Sequence, residues 1–342
     1  MLTTINLNLL FYIFCIIYNL HICQIKQKYQ TIQGKTMGTY WKITIPEIET
    51  KKKINIIKKN ITHKLNIYEK QISSWNKKSF VSIFNQYKAN QPKLIDQNLK
   101  KIILTGLCIG KKTHGALDIT IGNLINMWGF GPGNKILHYP SIEKIKNTIQ
   151  KTGIQNIQLI QNISGTYITK NISQIKINLS TMGEGFAAEE IKKILKNYKI
   201  KNYIISIGGV VISHSIDKNK IIPVGILSPF EKENTINTIV NLNGKSISTS
   251  GVYHNYYKLN NKKISHLINP VTGKPINNSL LSVSIISNSA LEADAWDTAL
   301  MILGFKEAKK IAIFEKLSVC LIKKEKKYFS IWYSPEFKKF LL

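Results

Sequence analysis

Two acidic residues three apart, followed at once by a hydroxyl, stand out in Ala290-Leu291-Glu292-Ala293-Asp294-Ala295-Trp296-Asp297-Thr298-Ala299-Leu300. The chain holds five aspartates, at 96, 118, 217, 294 and 297, so two within four residues is a marked local excess. In a helix, positions i, i+3 and i+4 share a face, which gathers Asp294, Asp297 and Thr298 on one stripe. Neighbouring carboxylates repel, and an oxygen-seeking divalent cation such as Mg²⁺ is a natural occupant between them. A solvated acidic helix face is the alternative.

About two dozen residues upstream lies Ser265-His266-Leu267-Ile268-Asn269-Pro270-Val271-Thr272-Gly273-Lys274-Pro275. Pro270, Gly273 and Pro275 punctuate a turn. A histidine leaving a strand beside such a turn can serve as a general base, although a lone histidine is also a common structural residue.

A length of 342 residues allows a sizeable core in one large domain or two small ones. All 48 basic residues are lysine, with no arginine, and the formal net charge is +29. Such a charge suits a polyanion partner. Sequence-reading nucleic-acid proteins lean on bidentate arginine, however, and these lysines are scattered with no single basic tail. The charge is therefore read as compositional background, and nucleic acid is not an expected partner.

Residues 5–23 are apolar and carry no Asp, Glu, Lys or Arg, and lysines begin at Lys26. The run has the length of an export-signal core, and it is also long enough for an uncleaved membrane anchor. Cys23 follows Leu20-His21-Ile22, a faint likeness to a lipoprotein cleavage box. Cys108 and Cys320 are far apart and outside any Cys-x-x-Cys or Cys/His spacing, so neither a disulfide framework nor a zinc site is expected.

The elements that must hold these residues begin near Gln30. Lys35 to Ile45 reads as one strand, and Lys52 to Ile72 as a helix with Ile54, Ile57, Ile61, Leu65 and Tyr68 on one face. Helices are expected at Leu99–Thr113, 141–152, from Ser180 or Thr181 as N-cap to about Tyr198, around Asp294, and from Gly304. Strands are expected at Gly115–Gly122, 156–161, 166–170, 174–178, 202–207, 222–228, 236–242 and 280–287, with two more at the end. Gly208-Gly209 reads as a turn, and Ser248-Thr249-Ser250-Gly251 as a strand-end turn or a nest for phosphate oxygens. Helices and strands mix without a regular alternation, which predicts an α+β fold in one compact body. Neither G-x-G-x-x-G after a first strand nor a P-loop is present.

Several short motifs occur in order. They are Met37-Gly38-Thr39, Ile72-Ser73-Ser74-Trp75 with Phe84-Asn85, and Ala116-Leu117-Asp118-Ile119-Thr120 with Trp128-Gly129-Phe130-Gly131. Leu179-Ser180-Thr181-Met182-Gly183-Glu184-Gly185, Ser248-Thr249-Ser250-Gly251, His266-Leu267-Ile268-Asn269-Pro270 and Ala293-Asp294-Ala295-Trp296-Asp297-Thr298 complete the series. Together, from about Met37 to Gly304, they resemble the FAD:protein FMN transferases of the ApbE flavin transferase family. Each motif is weak alone, and the ordered set is specific.

The resemblance implies a single flavin transferase domain over residues 30–342 behind an export signal or anchor in 1–23. It implies a Mg²⁺-dependent enzyme that splits the pyrophosphate of FAD and places FMN on a threonine of a membrane redox subunit, releasing AMP. It puts Met37, Trp75, Ala116, Leu117, Asp118, Asn178, Glu184 and Ile268 at the FAD site, and Thr181, Asp294, Asp297 and Thr298 at the metal. His266 is the first candidate for the base and Asp297 the second. The implied location is the periplasmic side of the inner membrane, with the enzyme tethered by its N-terminus, through the apolar run itself or through lipid. A Mg²⁺-dependent FAD pyrophosphatase and a non-catalytic flavin-binding lipoprotein are the competing readings.

Overall fold

The computed structural model of the protein describes residues 29–45, 49–133, 136–217, 221–229, 236–242, 244–252, 256–326 and 328–342. The apolar run 5–23, with Cys15 and Cys23, lies outside the described residues, as does His254.

Eight strands form the central sheet: β1 (Gln30–Thr36), β2 (Thr39–Ile45), β3 (Tyr203–Ile207), β4 (Val210–His214), β5 (Ser246–Gly251), β6 (Leu280–Ser287), β7 (Ser318–Lys324) and β8 (Phe329–Tyr333). Their order across the sheet is their order along the chain, and every neighbouring pair is antiparallel. The sheet is thus a meander into which helices and small hairpins are inserted. Period-two patterning sets the register. Trp41, Ile43 and Ile45 alternate inward along β2, and Trp41 pairs with Ile207 and Ile43 with Ile205 on β3.

One face of the sheet is covered by α1 (Lys51–Ile72), α2 (Gln97–Lys112), α3 (Gly183–Asn197) and α4 (Ala290–Leu303), which enclose the main core. Helix α4 lies at its centre, against β5, β6, α2 and α3. Leu291, Trp296, Leu300 and Met301 are all buried there, and each such side chain contributes roughly 1.5–3 kcal/mol relative to an exposed one. A helix buried nearly all round, as α4 is, is a core element, which accounts for the weak amphipathicity of its sequence. Ser289 caps its start by accepting from the Glu292 amide, and Gly304 ends it at φ 77°, a conformation natural to glycine. The opposite face of the sheet packs on the hairpin Pro223–Leu227/Ile236–Asn241 and on the helix Pro335–Lys338. A smaller cluster of Leu124, Trp128, Ile145, Leu259, Ile264 and Ile268 sits under the hairpin Tyr256–Leu259/Lys262–Ser265. The fold is α+β in one body, as expected. Among the described residues, no helix is long and apolar enough to cross a membrane.

Four local expectations are corrected. The strand read over Lys35–Ile45 is two strands, because Met37 (φ 48°) and Gly38 (φ 77°) make a two-residue hairpin turn. Gly115–Gly122 is not a strand. Asp118 Oδ1 accepts from both the amide and hydroxyl of Thr120, a local turn that competes with sheet pairing, and a helix follows over Gly122–Met127. The segment 174–178 forms only an isolated bridge at Lys176, and at Ile177 the side chain of Asn85 replaces a neighbouring strand. The helix after Leu179 opens as a 3-10 turn, Ser180–Met182, with no side-chain cap from Ser180 or Thr181. Instead, Asn178 Oδ1 accepts from the Ser180 amide at 2.9 Å.

Candidate active site

Helix α4 presents Asp294, Asp297 and Thr298 to the serine-rich strand β5. Ser248 Oγ donates to Asp297 Oδ2 at 2.7 Å, and Ser250 Oγ donates to Oδ1 at 3.0 Å. Thr298 Oγ1 lies 3.1 Å from Ser250 Oγ and 3.2 Å from Asp297 Oδ1. Asp294 Oδ2 accepts from the Gly185 amide at 2.7 Å. A Cβ at Gly185 would lie 2.2 Å from the Ala290 carbonyl oxygen, so glycine is what lets the start of α3 meet α4 this closely.

Both aspartates are buried, so the stripe is not a solvated face. Burial, followed by the repulsion of Asp297 and then Glu184, holds the Asp294 carboxyl well above the usual range. Burial also raises Asp297, to about 8, against the opposing pull of its hydroxyl donors. Glu184 is raised too, chiefly by burial, and accepts from the Gly209 amide at 2.8 Å. Among the described residues, no lysine forms an ion pair with any of the three. The carboxyls therefore have hydrogen bonds without a countercharge.

Asp294 and Glu184 border a cavity of about 1240 Å³. On its wall it brings together Met37, Trp75, Asn178, Thr181, Glu184, His266, Ile268, Asp294 and Thr298. Asp297 is not on that wall and meets it through Ser250 and Thr298. Ala116, Leu117 and Asp118 are buried and are not on the wall either. Burial raises the Asp118 carboxyl, whose bonds to Thr120 oppose the shift. Met37 sits in the hairpin turn, its amide facing Glu69 Oε2 at 3.4 Å and its sulfur close above Gly183. Trp75 is 62% exposed, so it is a ring surface at the cavity and not part of the core. Ser73 Oγ fixes its turn by accepting from the amides of Trp75 and Asn76, both at 3.2 Å. His266 follows the strand Lys262–Ser265 and meets the Phe130 ring edge to face, with centroids 6.3 Å apart.

Several residues of the site were not evident from sequence. Ser248 and Ser250 belong to β5 and bond Asp297, where a turn or phosphate nest was expected. Their alternation about Thr249 was the available signal, since it puts two hydroxyls on one face of a strand. Glu69 and Tyr257 also line the cavity, and nothing in their spacing marks them, whereas Phe130 belongs to a motif quoted above. Gly208, at φ 50°, turns β3 into β4 so closely that a Cβ there would lie 2.1 Å from the Glu184 carboxylate.

A family model described as the ApbE family matches residues 37–321. The chain belongs to the ApbE family. It is 50% identical over 332 residues to a FAD:protein FMN transferase of Buchnera aphidicola subsp. Schizaphis graminum, covering 97% of each chain. It is 41% identical over 313 residues to the Escherichia coli K12 protein of the same name, covering 91% of this chain and 89% of that one. The flavin transferase ApbE of Vibrio cholerae superposes with a TM-score of 0.80 at 28% identity, over 92% of this chain and all of that one.

The donor set at α4 and β5 suits a hard cation. Every group there is oxygen, and among the described residues the buried carboxyls have no cationic partner. Among the described residues, no group of three or more His, Cys, Asp or Glu side chains is placed to hold a metal ion by itself. An all-oxygen set of this kind is what Mg²⁺ takes, through one or two carboxylates with places left for water and substrate phosphate.

Proposed function

We propose that this ApbE-family enzyme transfers the FMN part of FAD to a threonine hydroxyl of an acceptor protein and releases AMP, with Mg²⁺ as cofactor. The observation that carries this reading is the cavity itself. It joins Asp294, Glu184 and the hydroxyls of Ser250 and Thr298 to an imidazole, an exposed indole and a thioether in one space of about 1240 Å³. Typical small-molecule pockets span roughly 300–1,000 Å³, so there is room for a dinucleotide and a reacting hydroxyl together.

Trp75 and Met37 offer flat and polarisable surfaces to the ring systems of FAD. Asp294, Asp297 and Thr298, with Thr181, would hold Mg²⁺, which supplies charge neutralisation at the pyrophosphate. In the reaction, the threonine oxygen bonds to the phosphorus of the FMN half. The bond from that phosphorus to the bridging oxygen breaks, and AMP leaves with the oxygen. The hydroxyl proton passes to a base. His266 is favoured over Asp297 for this role because His266 is on the cavity wall. Asp297 is only 1% exposed, and both its oxygens already accept hydrogen bonds from serine.

The acceptor is a subunit of a membrane redox complex, and the enzyme acts on the periplasmic side of the inner membrane, tethered by residues 1–23. The deciding experiment is incubation with FAD, Mg²⁺ and a candidate acceptor, read as flavin fluorescence that stays with the acceptor on a denaturing gel. AMP and FMN appearing with no flavin on protein would make the enzyme a pyrophosphatase. Bound FAD left intact by Mg²⁺ would make it a flavin-binding protein only.

A further inference from the structure

Lys170 is the one lysine among the fully buried large side chains of the described residues. It ends the strand Gly165–Lys170 and is on the wall of neither of the two cavities described here. Its Nζ donates to the carbonyl of Ile175 at 2.8 Å and to that of Asn85 at 3.2 Å, and lies 5.4 Å from the centroid of the Phe84 ring. No carboxylate pairs with it among the described residues. Burial, then the nearby charge of Lys176, lowers its pKa to about 8. An unpaired buried ammonium is costly, and an apolar side chain of the same length would avoid the cost. Its bonds indicate what it does for the site.

Asn85, one of its two partners, also grips the next segment. Asn85 Nδ2 donates to the Ile177 carbonyl at 2.9 Å, and Oδ1 accepts from the Ile177 amide at 2.7 Å. Ile177 precedes Asn178, on the wall of the main cavity. On the other side, Asn85 ends the short helix Phe80–Phe84, whose Ser79 and Ser82 hydroxyls donate to the Ser73 carbonyl at 2.5 and 3.3 Å. Ser73 holds the turn that carries Trp75. Lys170 and Asn85 thus stand between the two segments that deliver Trp75 and Asn178. A second cavity of about 210 Å³ lies between these walls, lined in part by Trp75, Asn85, Ile177 and Asn178.

We propose that Lys170 and Asn85 are positioning residues, a clamp that sets the spacing of the Trp75 and Asn178 walls and so tunes the main cavity for its ligand. The ligand arm of the test rests on the reading of that ligand as FAD. The structural arm does not.

Lys170→Met and Asn85→Ala would each be compared with the full-length wild type, alone and combined. Three measurements are made: the thermal midpoint, hydrogen exchange at the Ile177 amide, and FAD affinity by flavin fluorescence. Removing the Asn85 acceptor exposes the Ile177 amide directly, and removing the Lys170 ammonium frees Asn85. The expected result is at least tenfold faster exchange at Ile177 in each variant, with protection unchanged at the centre of β5 and β6. FAD affinity is expected to fall at least tenfold. The double variant should lose little more than the worse single one, because both residues act through one contact set.

Wild-type exchange at Ile177 in both single variants would overturn the proposal, as would acceleration of all amides together or failure of both variants to fold. Those last two results would mean that the pair serves global stability alone. Unchanged FAD affinity in variants whose Ile177 has loosened would overturn its role in the site. A wild-type protein that binds no FAD would instead refute the functional reading, and the exchange arm would still decide the clamp.

Discussion

Mg²⁺ should bind this protein with a strongly pH-dependent affinity and release protons as it does so. Without a cation, the folded protein keeps protons that an unfolded chain would give up. The Asp297 carboxyl is raised from 3.8 to about 8, and Asp294 and Glu184 are raised as well. Carboxyl pKa values raised in the folded state make the unfolded chain bind fewer protons between about pH 4 and 8. The metal-free fold should therefore lose stability as pH rises through that window, at about 1.4 kcal/mol per pH unit for each proton retained. A cation needs the ionised carboxylates, so it must displace those protons. For one displaced proton the apparent affinity rises tenfold per pH unit, or roughly 30-fold between pH 6.0 and 7.5, and more steeply if two are displaced. Calorimetric titration with Mg²⁺ in two buffers of different ionisation enthalpy counts the protons directly. Melting in EDTA and in Mg²⁺ across pH 5.5–8.5 should show a gap that widens with pH. A Mg²⁺ affinity flat across this range, with no proton released, would refute the argument that buried, uncompensated carboxyls form the cation site.

Asp294→Ala and Asp297→Ala should each abolish Mg²⁺-dependent AMP release while the melting point stays close to that of the wild type, since each removes a buried acid without a countercharge. Near-normal turnover in either would remove it from the metal site. His266→Ala should slow transfer by roughly 10²–10⁴-fold with FAD affinity little changed. Loss of FAD binding with normal turnover of bound FAD would make His266 a binding residue. Gly208→Ala should destabilise by about 1–2 kcal/mol through its φ of 50° and push Glu184 off the Gly209 amide, read by denaturant melts and FAD titration. Removing residues 1–23 should give a soluble, active enzyme that leaves an exported acceptor unflavinylated in cells. Flavin still appearing on that acceptor would show that the segment is not needed for delivery.

The residues and their rough placement were legible because the acidic pair sits on a helix whose spacing is intrinsic to the helix. What was less legible came from contacts between distant segments. The i, i+3, i+4 rule put Asp294, Asp297 and Thr298 on one stripe, and the structure has them there. Sequence could not tell a buried stripe from a solvated one, because that depends on β5 lying against α4, 47 residues apart at the Ser250–Asp297 bond. The strand misreadings have the same origin. Gly115–Gly122 has the composition of a strand, yet a carboxylate two residues from a threonine satisfies the backbone locally. At 174–178 an asparagine more than ninety residues away takes the place of the partner strand. In both cases a side chain supplies the bonds that a sheet would supply, and hydrophobic alternation carries no record of that substitution. The same substitution matters for the site. A ladder between two strands would fix the Ile177–Asn178 segment to a sheet, whereas Asn85 fixes it to the turn that carries Trp75. The separation of two cavity walls is thereby set by side chains, and a single replacement can shift it without unmaking the fold.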